Sequence, residues 1–155
     1  MNILKFLWCL LLPFWCVSGF CGNNYILALM LYVINSTNND TIFYAPIGCG
    51  ANLGNKQRAG DHKTPEGNFR IKSIEDASKW LHDFHDGAGL RKEAYGRWFF
   101  RIRMPKWNSI GIHGTCFPES IGTRCSEGCV RMRNEDLEIL KKYVKINMVC
   151  IIEPD

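Results

Sequence analysis

The sequence has no internal repeat and no low-complexity tract, which excludes a solenoid or a biased linker region. No apolar run approaches the roughly 20 residues that a membrane-spanning helix needs. The run from Phe6 to Val17 has 12 residues and is broken by Pro13. Neither sign of charge dominates: 19 basic against 15 acidic side chains leave +4. That balance is too mild and too dispersed for a dedicated nucleic-acid binder, though it suits an anionic substrate. With 12% aromatic and only 22% charged residues, the chain is not disordered. Its 155 residues suffice for one domain with a sizeable core, not two. Cysteine is well above its ordinary frequency, with eight copies.

Residues 1–19 read as an export signal. Lys5 is the one charge, the apolar run follows, and Ser18 and Gly19 supply small residues at a cleavage point. An uncleaved anchor, or lipid attachment at Cys21, is the alternative, and the only membrane contact expected is through this segment. A single domain then occupies residues 20–155. Removing the signal takes Cys9 and Cys16 with it and leaves Cys21, Cys49, Cys116, Cys125, Cys129 and Cys150. Outside the cytoplasm thiols tend to pair, and Cys116 with Cys125 is the expected staple.

The mature chain is mostly β in pattern. Tyr25 to Ile34 and Thr41 to Ile47 flank a polar turn, Asn35 to Asp40, and predict a hairpin. Thr64-Pro65-Glu66-Gly67 is a turn, and Asn68 to Ile74 alternates as a strand. Trp80 and Phe84, four positions apart, predict a short helix over Glu75 to His85. Asp86 to Gly96 is a glycine-rich loop suited to a lid; Trp80, Trp98 and Trp107 are core residues by default, with one or two of them as the alternative lining of a groove beneath it. Arg97 to Met104, Asn108 to His113 and Met148 to Ile152 are strands. Asn134 predicts a helix N-cap, with Leu137, Leu140 and Val144 as the buried stripe and Lys141 and Lys142 at the other end.

One constellation carries chemistry. Ile112-His113-Gly114-Thr115 ends a strand, and Ser126-Glu127-Gly128-Cys129-Val130-Arg131-Met132 follows, with His113 and Cys129 16 positions apart. A cysteine and a histidine joined by a loop are the parts of a thiol nucleophile and its base. The imidazole either takes the thiol proton or pairs with the thiolate; both raise nucleophilicity. Gly128 leaves the backbone open to a substrate. Amides of Gly128 and Cys129, just ahead of a helix, are oxyanion-hole candidates.

These residues resemble the signature of the L,D-transpeptidase (YkuD-type) catalytic domain: a histidine, a loop, then Ser/Thr-His-Gly-Cys-x-Asn/Arg. Thr64-Pro65-Glu66-Gly67-Asn68-Phe69-Arg70-Ile71 is similar to the family's T-P-x-G-x-F-x-I stretch, and the likeness spans roughly residues 25–152. The resemblance implies a mainly β fold, a sandwich or partial barrel with one or two helices, one beside the cysteine. It implies an acyltransferase that needs no cofactor and acts on peptidoglycan stem peptides in the bacterial periplasm or cell envelope. Cys129 would attack the L,D peptide bond after the third residue of a donor tetrapeptide, D-alanine would leave, and an amine would resolve the thioester. The acceptor would be a second stem peptide (a 3→3 cross-link), a lipoprotein side chain, a D-amino acid, or water. By the same resemblance His113 is the general base and the Gly114 carbonyl orients its ring. Ser126 shapes the loop, and Arg131 holds a substrate carboxylate or supports the loop.

The chain departs from the pattern at Glu127, where the family usually has a second histidine. A carboxylate aimed at Cys129 would disfavour the thiolate. Adjacent side chains often face apart, so Glu127 is expected to point toward acceptor or solvent. His62, His82 and His85 have no matching partner and read as surface residues. Three alternatives stand beside this reading. His113, Cys116, Cys125 and Cys129 are the right residue types for a structural zinc. The scaffold would equally serve an L,D-carboxypeptidase or other hydrolase. A catalytically weak peptidoglycan-binding module is the third.

Overall fold

A computed structural model describes residues 2–7 and 29–154. In chain order the strands are β1 (Asn2–Leu7), β2 (Met30–Asn35), β3 (Thr41–Pro46), β4 (Cys49–Gly50), β5 (Gly67–Asp76), β6 (His82–Asp83), β7 (Leu90–Arg91), β8 (Trp98–Arg103), β9 (Gly111–His113), β10 (Arg124–Ser126) and β11 (Val130–Arg131). Helix α1 (Asn134–Lys141) and strand β12 (Val149–Ile152) complete the chain.

Eight strands form one sheet in the order β11-β9-β8-β5-β12-β1-β2-β3, while β10 pairs β4 and β6 pairs β7. The sheet curls into a half-barrel. Gly48, just past edge strand β3, exchanges two 2.8 Å backbone hydrogen bonds with Arg131 on the opposite edge strand. The concave face holds a continuous core that includes Leu31, Val33, Ile71, Phe100, Ile102 and Ile112, closed at one end by Leu137 and Leu140 of α1. Residues alternate along the strands, as a sheet with one buried face requires: β2 buries Leu31 and Val33 and leaves Tyr32 partly exposed.

The hairpin, the strand after the Thr64–Gly67 turn and the final strand lie where the sequence places them, to within a few residues. The start of the expected first hairpin strand, Tyr25 to Ala28, lies outside the described residues.

Three expectations need correcting. No helix forms over Glu75 to His85: Asp76 Oδ1 accepts the Ser78 N–H at 2.9 Å, an Asx turn that ends β5. Trp80 then packs on Tyr95 and Phe99 and Phe84 on His82 and Phe117, so the two rings never share a helix face. Asn134 is the first residue of α1, and the cap position is Arg133, without a side-chain cap bond.

Of the expected export-signal segment, only residues 2–7 lie within the described residues. Its first residues form β1, parallel to β12 and antiparallel to β2, with Leu4 fully buried and Lys5 Nζ 3.1 Å from Glu153 Oε1. A short apolar run suits a leader and a buried strand equally, and the pattern alone does not separate them. The rest of that segment, with Cys9 and Cys16, and Cys21 beyond it, lies outside the described residues. Finally, no disulfide joins Cys116 to Cys125. The backbone ties that loop down instead, through Gly122 N–H to Ile47 O at 2.9 Å and Ala51 N–H to Ser126 O at 2.9 Å.

Candidate active site

Parallel pairing of β11 with β9 sets Arg131 beside His113 and Val130 beside Ile112. Cys129, one residue before β11, is thereby carried next to the end of β9. The turn that delivers it is knotted by Ser126, a fully buried hydroxyl. Ser126 Oγ accepts the Gly128 N–H at 3.0 Å and donates to Cys129 O at 2.6 Å. Gly128 has φ +133°, and a Cβ there would lie 2.7 Å from Lys63 O, so only glycine fits this crossing. Because the Gly128 N–H is already committed to Ser126, it is not available as an oxyanion donor. The Cys129 amide remains the candidate of the two proposed from sequence.

His113 is buried, its ring stacked on Phe99 at 5.5 Å and against the edge of Tyr95 at 4.8 Å. Its Nδ1 lies 2.6 Å from Gly114 O. A carbonyl only accepts, so Nδ1 carries the proton and Nε2 is left with its lone pair. Burial lowers the His113 pKa from 6.5 to about 3, against the pull of the Gly114 carbonyl, and the nearby Arg131 and His82 add to the fall. The Cys129 thiol is shifted the other way: burial raises it above 9.0, the Gly111 backbone and Arg131 oppose this, and Glu127 adds to the rise. At rest Sγ donates to Ser109 O at 3.5 Å. The two groups therefore stand as a neutral thiol and a neutral imidazole.

Both groups line one cavity of about 460 Å³. Arg131 reaches it too, 7% exposed, with its guanidinium 5.3 Å from the Phe84 ring and Nη1 3.3 Å from Cys125 O. Its buried Nε finds no hydrogen-bond partner among the described residues.

Sequence reasoning missed four residues on this wall. Arg101, held by Glu75 through a bidentate pair at 2.7 and 2.8 Å, adds a cation near the thiol. Lys56 forms a buried 2.7 Å pair with Asp61. Burial alone would raise the Asp61 carboxyl, but Lys56 and the N–H groups of Arg58, Gln57 and Lys63 hold it far below the usual carboxylate range. His82, partly buried, and His62, exposed at the mouth, also line the cavity, while His85 is exposed at the surface and does not. No motif marks any of these four; only the folded loops bring them in. Trp80 and Trp107 reach the cavity and Trp98 does not, its Nε1 donating to Glu138 of α1 instead.

The sequence sends Glu127 toward acceptor or solvent. It lies at the rim of the same cavity, its side chain 53% exposed and 3.6 Å from His82 Nε2, and its charge bears on the thiol. A turn as tight as Ser126–Cys129 lets two near neighbours face one space. The zinc alternative finds no support in the geometry: among the described residues no three His, Cys, Asp or Glu side chains converge.

Comparison with known proteins agrees with this layout. The chain is 28% identical over 96 residues to YqjB of Bacillus subtilis (strain 168), whose L,D-transpeptidase assignment is itself provisional; the match covers 61% of this chain and 54% of that one. Bd1075 of Bdellovibrio bacteriovorus superposes with a TM-score of 0.54 at 28% identity, covering 79% of this chain and 43% of that one. The catalytic domain of the E. faecium L,D-transpeptidase superposes at 0.57 and 15% identity, covering 82% and 91%, and speaks for the fold alone. The chain thus spans about half the length of YqjB and of Bd1075. Residues 28–152, which hold the half-barrel from the first hairpin to the last strand together with the cavity, match the L,D-transpeptidase catalytic domain (YkuD) model, and the chain belongs to that family.

Proposed function

We propose that the protein is a peptidoglycan L,D-transpeptidase in which Cys129 is the nucleophile and His113 its general base. The observation that carries this is the His113 Nδ1 to Gly114 O contact of 2.6 Å, which fixes the tautomer and leaves Nε2 as the acceptor on the cavity that Cys129 lines.

The sulfur attacks the carbonyl carbon between the third and fourth residues of a donor tetrapeptide as its proton passes to His113. The Cys129 amide receives the developing oxyanion. His113 returns the proton to the leaving nitrogen, D-alanine departs, and a thioester remains. An amine then attacks the thioester, and the thiol is restored. Arg131, a buried cation with an unmatched donor beside the nucleophile, favours a donor that carries a carboxylate. Water as the acceptor converts the same site into an L,D-carboxypeptidase. The envelope is where this family's members typically work, and we place the protein there, with N-terminal sequencing from fractionated cells as the check.

Mass spectrometry of muropeptides after incubation with a disaccharide-tetrapeptide tests the reaction. Cross-linked dimers, exchanged tetrapeptides and tripeptides are separate masses. The Cys129→Ala protein is expected to produce none of them. Turnover retained in that variant overturns the mechanism.

A further inference from the structure

Lys56, Arg101 and Arg131 give the cavity three cationic side chains, and Glu127 is the one acidic side chain among the described residues that line it. An anionic donor is served by the cations. Glu127 is out of keeping with that role, and its surroundings show what it is suited to. His82, on the short β6–β7 hairpin that covers the cavity, sets Nε2 3.6 Å from Glu127 Oε1. That is too far for a direct hydrogen bond. The other ring nitrogen of His82, Nδ1, lies 3.1 Å from Tyr95 Oη. That contact admits Nδ1–H as the donor, and in this tautomer, the one the proposal requires, Nε2 turns a lone pair toward the carboxylate. Two acceptors side by side call for a cation with several N–H donors, and a primary ammonium bonds both at once. Tyr95 also packs against His113 at 4.8 Å, so His82 is linked through one ring to the catalytic histidine.

We propose that Glu127 and His82 form the acceptor subsite, taking the primary ammonium of an incoming amino acid or stem peptide and removing one proton from it. This rests on the acyl-transfer reading above and decides the acceptor: an amine in preference to water. The ammonium R–NH3⁺ gives one proton to His82 Nε2 and becomes R–NH2. Its nitrogen attacks the thioester carbonyl carbon, the C–S bond breaks, and an amide forms. The second N–H proton passes through His113 to the Cys129 thiolate, and His82 releases its proton to solvent.

The test uses the full chain, a disaccharide-tetrapeptide donor and D-methionine as the amine. The readout is the ratio of D-methionine-exchanged product to hydrolysed tripeptide. This ratio counts only enzyme already acylated, so a slower acylation step or a partly misfolded preparation does not enter it. His82→Gln and Glu127→Gln are each expected to lower it by about tenfold or more. Glu127→Gln should also raise the D-methionine concentration needed for half-maximal exchange, and Glu127→Asp should restore part of it. A ratio unchanged in both Gln variants, or a change confined to the donor KM, as for a simple lid latch, overturns the proposal. If the unaltered protein releases no D-alanine from the donor, the acyl-transfer reading fails first and the subsite falls with it.

Discussion

At the residue scale, the thiol is tuned by opposing neighbours rather than by one strong partner. Burial and Glu127 push Cys129 up, while the Gly111 backbone, Arg131 and Arg101 pull it down. Removing the Glu127 charge in Glu127→Gln therefore shifts the thiol titration to lower pH. The rate of alkylation of Cys129 by iodoacetamide against pH reads this directly, without reference to turnover. An unchanged profile would mean that the carboxylate does not reach the sulfur electrostatically. The Glu127 position also shows how the signature is to be read. The sequence marks the departure from the family's usual histidine, and an adjacent-residue argument sends the side chain toward acceptor or solvent. The tight turn held by Ser126 keeps both on one cavity.

At the scale of elements, the entry to α1 braces the strand that carries His113. Asn134 Oδ1 accepts the Thr115 N–H at 3.0 Å, and Gly114 N–H donates to Tyr95 O at 2.7 Å. A Cβ on Gly114 would run into Asn134 Oδ1 and lie 2.9 Å from the Gly96 Cα, so the crossing of these two chain segments demands glycine. Asn134→Ala leaves a buried backbone N–H unpaired and is expected to cost about 1–3 kcal/mol in urea unfolding. Asn134→Asp, which keeps an oxygen acceptor, should recover most of it. The sequence marks Asn134 as a helix-start residue but not as this brace, because a propensity argument sees only the adjoining helix and not the strand across from it. Strand β1 is a second case. Leu4 is buried between β12 and β2, so the 1–155 chain should melt above a 20–155 chain. Equal melting temperatures would show that these residues add nothing to the folded domain.

For the whole molecule, burial of a neutral imidazole makes stability depend on acid. The folded-state pKa of His113 lies near 3, below its ordinary 6.5. As the pH falls through that window the unfolded chain takes up the proton first. Stability from this group is complete above about pH 6.5 and is lost progressively toward about pH 3. Asp61, also depressed, adds a loss only below its ordinary 3.8. Urea midpoints should therefore drop between about pH 7 and pH 4.5, and His113→Gln should flatten that drop. A midpoint that is level across this range in the unaltered protein would contradict burial of a neutral imidazole.

The sequence by itself determined the chemistry that the chain can attempt. His113, Gly114, Ser126, Gly128, Cys129 and Arg131 sit close enough along the chain for their spacing to be read, and the alternation of apolar residues marks the main strands that bring them together. Tertiary structure alone decided what surrounds the nucleophile. His82 and Glu127 are 45 positions apart, and Lys56 and Arg101 come from a loop and a strand on other sides of the cavity. No local pattern encodes such encounters, because they arise from the curl of the sheet and the path of its loops. Periodicity records which face of an element is buried; it does not record which distant element will cover it.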